Sequence, residues 1–181
     1  QAQRDMANGE RITKIPIKNI KAFEGHPFSV TMDEDMTRLI DSIRNSGMNT
    51  PAIVRPAKDG NGYEMIAGHR RKFALDKLGI TDMDCIVRNI DDDEAVIQMV
   101  DSNVQRENIK PTERGYAYKM RLDAMKHQGK SVPTYADEVG VEYNKNTSNQ
   151  VGWKLETANL IAEQMGQSIN QVRRFICLTY L

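Results

Sequence analysis

The chain has 181 residues, 39% hydrophobic and 28% charged, with a formal net charge of zero. That suits a soluble globular protein of one domain or two small ones. No apolar run is long enough to span a membrane, no secretory signal opens the chain, and the two cysteines exclude a disulfide framework or a cysteine metal cluster, so a cytoplasmic protein is expected.

Ile12 to Ile17 alternates like a strand, and Pro16 makes it an edge or early strand. Asp33 or Thr31 can cap a helix on which Met36, Leu39, Ile40 and Ile43 keep helical spacing and which Gly47 closes. Ala52–Arg55 and Tyr63–Ala67 read as strands joined by the turn Asp59-Gly60-Asn61-Gly62. A helix is predicted from Arg70 to Leu78, ended by Gly79, then a strand from Met83 to Arg88. Asp91, Asp92 and Asp93 open the next helix, where acids complement the helix dipole; a metal cluster is the sharper alternative.

After Pro111 only helices are predicted, beginning with Thr112 to Gln128. Residues 129–153 are polar, and 144–149 read as a flexible loop. The expected organisation is α+β. Residues 1–11 are read as disordered or introduced by cloning, 12–109 as a small α/β domain, and 110–181 as a helical domain. Residues 1–109 hold 15 Lys and Arg against 18 Asp and Glu, while 110–181 hold 10 against 7. That mild basic bias fits DNA binding at the helical end, and it also fits ordinary scatter of surface charge. Cys85, in an apolar strand, and Cys177, on a helix, are both read as buried small hydrophobes. The first residues and the abrupt end at Leu181 suggest a piece of a longer protein.

Gly68-His69-Arg70-Arg71 stands where a strand gives way to a helix. A glycine there lets the backbone approach a ligand, the first helical N–H groups point at it, and the dipole favours an anion. Two arginines add permanent charge and forked donors, which suits a phosphate; a turn with a solvated arginine pair is the plainer alternative.

At the C-terminal end, Ala162, Gly166 and Val172 have the spacing of a helix-turn-helix, assigned to 157–181. A small residue lies at the crossing, a glycine at the turn, and a branched residue packs back. Ser168 caps the second helix. Its exposed face would offer Asn170, Gln171, Arg173 and Arg174, whose amide and guanidinium groups can read base edges in double-stranded DNA. An ordinary helical hairpin is the alternative.

The Gly-His-Arg-Arg box, the later Ser102-Asn103-Val104-Gln105-Arg106 segment and the terminal helix-turn-helix, in this order, resemble the ParB family of DNA-partition proteins. The resemblance runs from about Ile12 to the end. It implies a ParB/sulfiredoxin-like front domain that binds CTP with magnesium, and phosphates cradled by Gly68, His69, Arg70 and Arg71. It further implies a metal-binding pair and an arginine at Ser102, Asn103 and Arg106, with the base beside the segment from Thr50 to Arg55. The implied partners are a second copy of the chain, double-stranded DNA with a centromere-like site and a ParA-type ATPase, with a nucleoid-associated location.

Two positions depart from the family pattern. Ser29 stands where the family has a glutamine, and Ser102 where it has a metal-binding glutamate. A serine is a poorer magnesium ligand than a carboxylate, so nucleotide binding with weak or absent hydrolysis is expected. The alternatives are a helix-turn-helix transcriptional regulator of a mobile element, and a nuclease or other phosphate-ester enzyme. The sulfiredoxin type of thiol chemistry needs a cysteine before His69-Arg70, where Gly68 stands.

Overall fold

The structure, a computed structural model, describes residues 11–104, 106, 109–127, 162–163 and 166–180. The contacts divide the chain into two compact units, 1–91 and 92–181. The expectations for 1–10, for the loop at 144–149 and for most of the first helix of the helix-turn-helix lie outside the described residues.

The first unit holds β1 (Ile12–Pro16), a 3-10 turn (Ile17–Asn19), β2 (Ile20–Lys21), α1 (Glu34–Ser46), β3 (Ala52–Pro56), β4 (Tyr63–Ala67), α2 (His69–Lys77) and β5 (Asp82–Val87). The strands form one mixed sheet in the order β1-β5-β3-β4-β2. β1 is the edge that Pro16 predicts, antiparallel to β5. β5 runs parallel to β3, and β3 and β4 form the antiparallel hairpin. Its turn works through the Asp59 side chain, which accepts from the Asn61 N–H. β2 is too short for any periodicity to betray it, and it pairs in parallel with β4.

Asp33 caps α1, its Oδ1 accepting from the Met36 N–H at 2.7 Å, and Gly47 ends the helix with a φ of +71°. Met36, Ile40 and Ile43 then face Ile15, Ile17, Val54, Met65, Leu75 and Met83 in one apolar core. Cys85 lies in the same core, and burial pushes its thiol up to about 11, so it is inert at neutral pH.

The second unit holds α3 (Asp92–Val104), α4 (Pro111–His127), α5 (Ile169–Cys177) and a 3-10 turn (Leu178–Tyr180). Helix α3, which the sequence reading placed in the front domain, packs on α4. The buried Arg121 of α4 grips Asp101 of α3, with Nε to Oδ1 at 2.8 Å and Nη2 to Oδ2 at 3.4 Å. Helix α4 also packs on α5. A Cβ on Gly115 would stand 2.2 Å from the Phe175 carbonyl oxygen, so this helix-interior glycine is the contact point.

Candidate functional site

β4 ends at Ala67, and Gly68 turns the chain into α2 with φ +119° and ψ 13°, a left-handed conformation that L side chains resist. A Cβ there would lie 2.9 Å from the Cβ of Ala52 on β3. This corrects the expectation that the bare Cα makes room for a ligand, because the neighbouring strand fills that space. The first N–H groups of α2 have no acceptor within the helix, as at any helix start, and the dipole still favours an anion there.

Each residue of the box also has internal work. Arg70 donates to Asp33 Oδ1 at 3.3 Å, which links the start of α2 to the cap of α1. The Asp33 carboxyl is held below its ordinary range by the Met36 N–H first, with Arg70 assisting. Arg71 donates through Nη1 to the carbonyls of Thr50 and Pro51, the latter at 2.9 Å. Burial lowers its pKa from the ordinary arginine value.

His69 lies against His26 with ring centroids 3.8 Å apart, and both of its ring nitrogens are buried without a hydrogen bond. Burial, then His26 and Lys72, drive its pKa to about 3, so the ring is neutral. His26 donates from Nδ1 to the Phe28 carbonyl at 2.8 Å, and Lys72 donates to the Ile20 carbonyl at 2.8 Å.

Thr50 is exposed and joins the box through its carbonyl. Arg55 does not. It is 5% exposed, its Nε and Nη2 lie 2.7 and 2.6 Å from Glu64 Oε2, and its guanidinium sits over the Phe23 ring. The structure thus gives Arg55 a cross-strand ion pair inside the hairpin.

The second box lies in the other unit. Ser102 donates to the Met99 carbonyl at 2.9 Å, and Asn103 Nδ2 donates to the same carbonyl at 2.8 Å and contacts Ser102 Oγ at 3.1 Å. The Arg106 N–H donates to the Asn103 carbonyl. These groups finish α3 in the manner of a helix end. No cluster of three or more His, Cys, Asp or Glu forms among the described residues. An amide oxygen on Asn103 and a hydroxyl already turned to Met99 do not build a magnesium site. The metal role implied for Asn103 finds no carboxylate to support it, as Asp101 is paired with Arg121.

The C-terminal helix follows its sequence pattern closely. Ala162 and Val172 are buried, and Gly166 has φ +60°. Ser168 caps α5 in a capping box with Gln171. Ser168 Oγ accepts from the Gln171 N–H, and Gln171 Oε1 accepts from the Ser168 N–H at 3.2 Å. Gln171, expected among the DNA-reading side chains, is therefore part of the cap. Asn170, Arg173 and Arg174 line an open groove with Cys177 and Leu178. Cys177 is exposed, contrary to its reading as a buried hydrophobe.

Beneath that face, Phe175 packs edge-on to Tyr118, whose hydroxyl donates to Gln167 Oε1 at 2.8 Å, and Arg114 lies over the Phe175 ring. Sequence reasoning missed Gly115 and Arg121. A glycine inside a helix and an arginine on an apolar helix face were the available signals.

Residues 1–104 match the ParB N-terminal domain family. The chain is 32% identical over 115 residues to the chromosome-partitioning protein Spo0J of Thermus thermophilus, covering 64% of this chain and 42% of that protein. It is 33% identical over 114 residues to a nucleoid occlusion protein of Geobacillus sp. strain WCH70, covering 63% and 40%. The chain thus spans less than half the length of these relatives. Among solved structures, the C-terminally truncated chromosome-partitioning protein ParB of Caulobacter crescentus complexed to the centromeric parS site aligns with a TM-score of 0.55. Its identity is 22%, over 93% of this chain and 72% of that one, a likeness of fold.

Proposed function

This chain belongs to the ParB N-terminal domain family, and from that premise we propose that it is a sequence-specific double-stranded DNA-binding protein of chromosome or plasmid partition. The observation that carries the reading is the face of α5. A glycine turn, a capping box and a buried Val172 fix the helix, while Asn170, Arg173 and Arg174 share one open groove. Forked donors on such a face suit guanine edges and phosphates. Recovery of bound fragments from genomic DNA, followed by titration of the enriched site with wild type, Arg173→Ala and Arg174→Ala, tests it. One recurrent sequence and a clear loss in at least one variant are expected. No enriched sequence, with both variants binding like wild type, would refute the proposal.

The proposal extends to a nucleoside triphosphate, CTP by family resemblance, at the start of α2. Support comes from the unsatisfied helix N–H groups and from Arg70, whose 3.3 Å bond to Asp33 is long enough for a triphosphate to compete with. Calorimetry with CTP, ATP and GTP, with and without cognate DNA, tests this. Asn103→Ala and Arg106→Ala in the same titration test whether the second box takes part.

Without a protein carboxylate for magnesium, any metal would arrive with the phosphates. Ser29 offers no amide to position a water. Phosphate release with CTP, magnesium and DNA is expected to be slight. A homodimer that closes as a CTP-responsive clamp on DNA, and a ParA-type ATPase partner, complete the reading. The nucleoid occlusion relative favours one alternative, DNA binding without segregation; a plasmid carrying the bound site that is stably inherited only with this protein decides for partition.

A further inference from the structure

Two separate contacts fasten the Gly68 box to the segment before and at the start of β3. The backbone of Gly68 presses on Ala52 so closely that a side chain would meet it at 2.9 Å. Arg71 spans from the first turn of α2 to two successive carbonyls, Thr50 and Pro51. Pro51 and Ala52 are buried while Thr50 is exposed, so the segment forms a wall with one residue facing water. A partly buried guanidinium that already donates to two carbonyls must abandon both, and leave them unsatisfied, to reach a phosphate. Arg70 gives up only one long bond to the half-exposed Asp33.

We propose that Arg71 is a positioning residue. It holds the Thr50–Ala52 wall of the nucleotide site, and the phosphates fall to Arg70 and the α2 N–H groups. This rests on the reading that the site takes a nucleoside triphosphate. The wall then meets the nucleoside part of the ligand. Loss of Arg71 weakens every nucleotide by one factor, whatever its phosphate count, whereas loss of Arg70 costs more with each phosphate.

The test is calorimetry of the whole chain with CTP, CDP and inorganic tripolyphosphate, for wild type, Arg70→Met, Arg71→Met and Arg71→Lys. Amide hydrogen exchange at Thr50, Ala52 and Ile53 is followed in parallel. Arg71→Met is expected to weaken CTP and CDP alike, by about tenfold, and to leave tripolyphosphate within about twofold. Arg71→Lys keeps the charge, loses the fork and is not expected to restore binding. Exchange at the wall should quicken in both Arg71 variants and not in Arg70→Met.

A loss that grows from CDP to CTP, is shared by tripolyphosphate and is rescued by lysine makes Arg71 a phosphate ligand and overturns the proposal. So does unchanged exchange at the wall, even where nucleotide binding itself is confirmed. Failure of the wild type to bind any of the three ligands overturns the nucleotide reading, and this inference with it.

Discussion

Two helices in this chain start from a glycine of positive φ and carry adjacent arginines, α2 after Gly68 and α5 after Gly166. The shared local grammar hides different physics. Gly68 is wedged against Ala52, and Arg70 and Arg71 are tied to Asp33 and to the Thr50 and Pro51 carbonyls. Gly166 has nothing within 4 Å of where its Cβ would stand, and Arg173 and Arg174 line an open groove. The first start is a structural joint that can also take an anion. The second is a presentation surface whose helix is held from behind by Val172 and Phe175. An arginine pair after a glycine therefore does not have one meaning, and neighbours distant in sequence decide it.

The largest expected effect breaks the joint. Gly68→Ala adds backbone strain of about 1–3 kcal/mol and overpacking of about 1–3 kcal/mol against Ala52. A loss of roughly 2–5 kcal/mol in chemical denaturation is expected. A variant within about 0.5 kcal/mol of wild type would show that the wedge is not real.

The joint should also be acid-sensitive. His69 is neutral in the folded state, with its pKa at about 3 against an ordinary 6.5. Between those values the unfolded chain binds the extra proton, so stability is intact above about 6.5 and falls as pH drops toward about 3. Each unit of that gap is worth about 1.4 kcal/mol, so a loss of up to a few kcal/mol is expected across the window. His69→Gln should flatten the slope, measured as denaturation midpoint against pH. A slope unchanged in that variant assigns the acid sensitivity elsewhere.

Third comes the presentation surface. Arg173→Ala or Arg174→Ala should cost about 1–3 kcal/mol of specific DNA affinity if it removes a bidentate base contact, or act across all sequences and lower the salt slope by about one if it removes a phosphate contact. Neither change should shift the melting of the free protein by more than about 0.5 kcal/mol, since both side chains lie outside the core. The exposed Cys177 in the same groove gives an independent readout: bound DNA should slow its alkylation.

Much of this fold was legible wherever the signal was local. The Asp33 cap, the Gly47 stop, the Asp59–Gly62 turn and the Ser168 cap each rest on interactions within four residues. What escaped depends on register or on partners across the fold. Arg55 looks like a binding residue until the hairpin register sets it beside Glu64. Arg71 bonds to carbonyls about twenty residues away, and carbonyls carry no sequence signature. Cys177 could have been placed better, because the Ser168 cap fixes the helical phase and puts it one turn beyond Arg173 and Arg174.

The smallest effect sharpens the comparison most. Gly166→Asn keeps a residue type that tolerates the left-handed conformation, at a φ of +60° close to its favoured value, with open space around the new side chain. The change should cost no more than about 1 kcal/mol, and DNA affinity should stay near wild type because the Ser168 cap and Val172 still set the direction of α5. Gly68→Asn meets a φ of +119°, outside the left-handed well, and the Ala52 contact as well. It should behave like Gly68→Ala. The pair of asparagine variants thus separates backbone conformation from packing at two similar-looking glycines. Equal losses at both sites, measured by denaturation under one condition, would mean that positive φ alone explains them and that the distinction between joint and surface has no energetic basis.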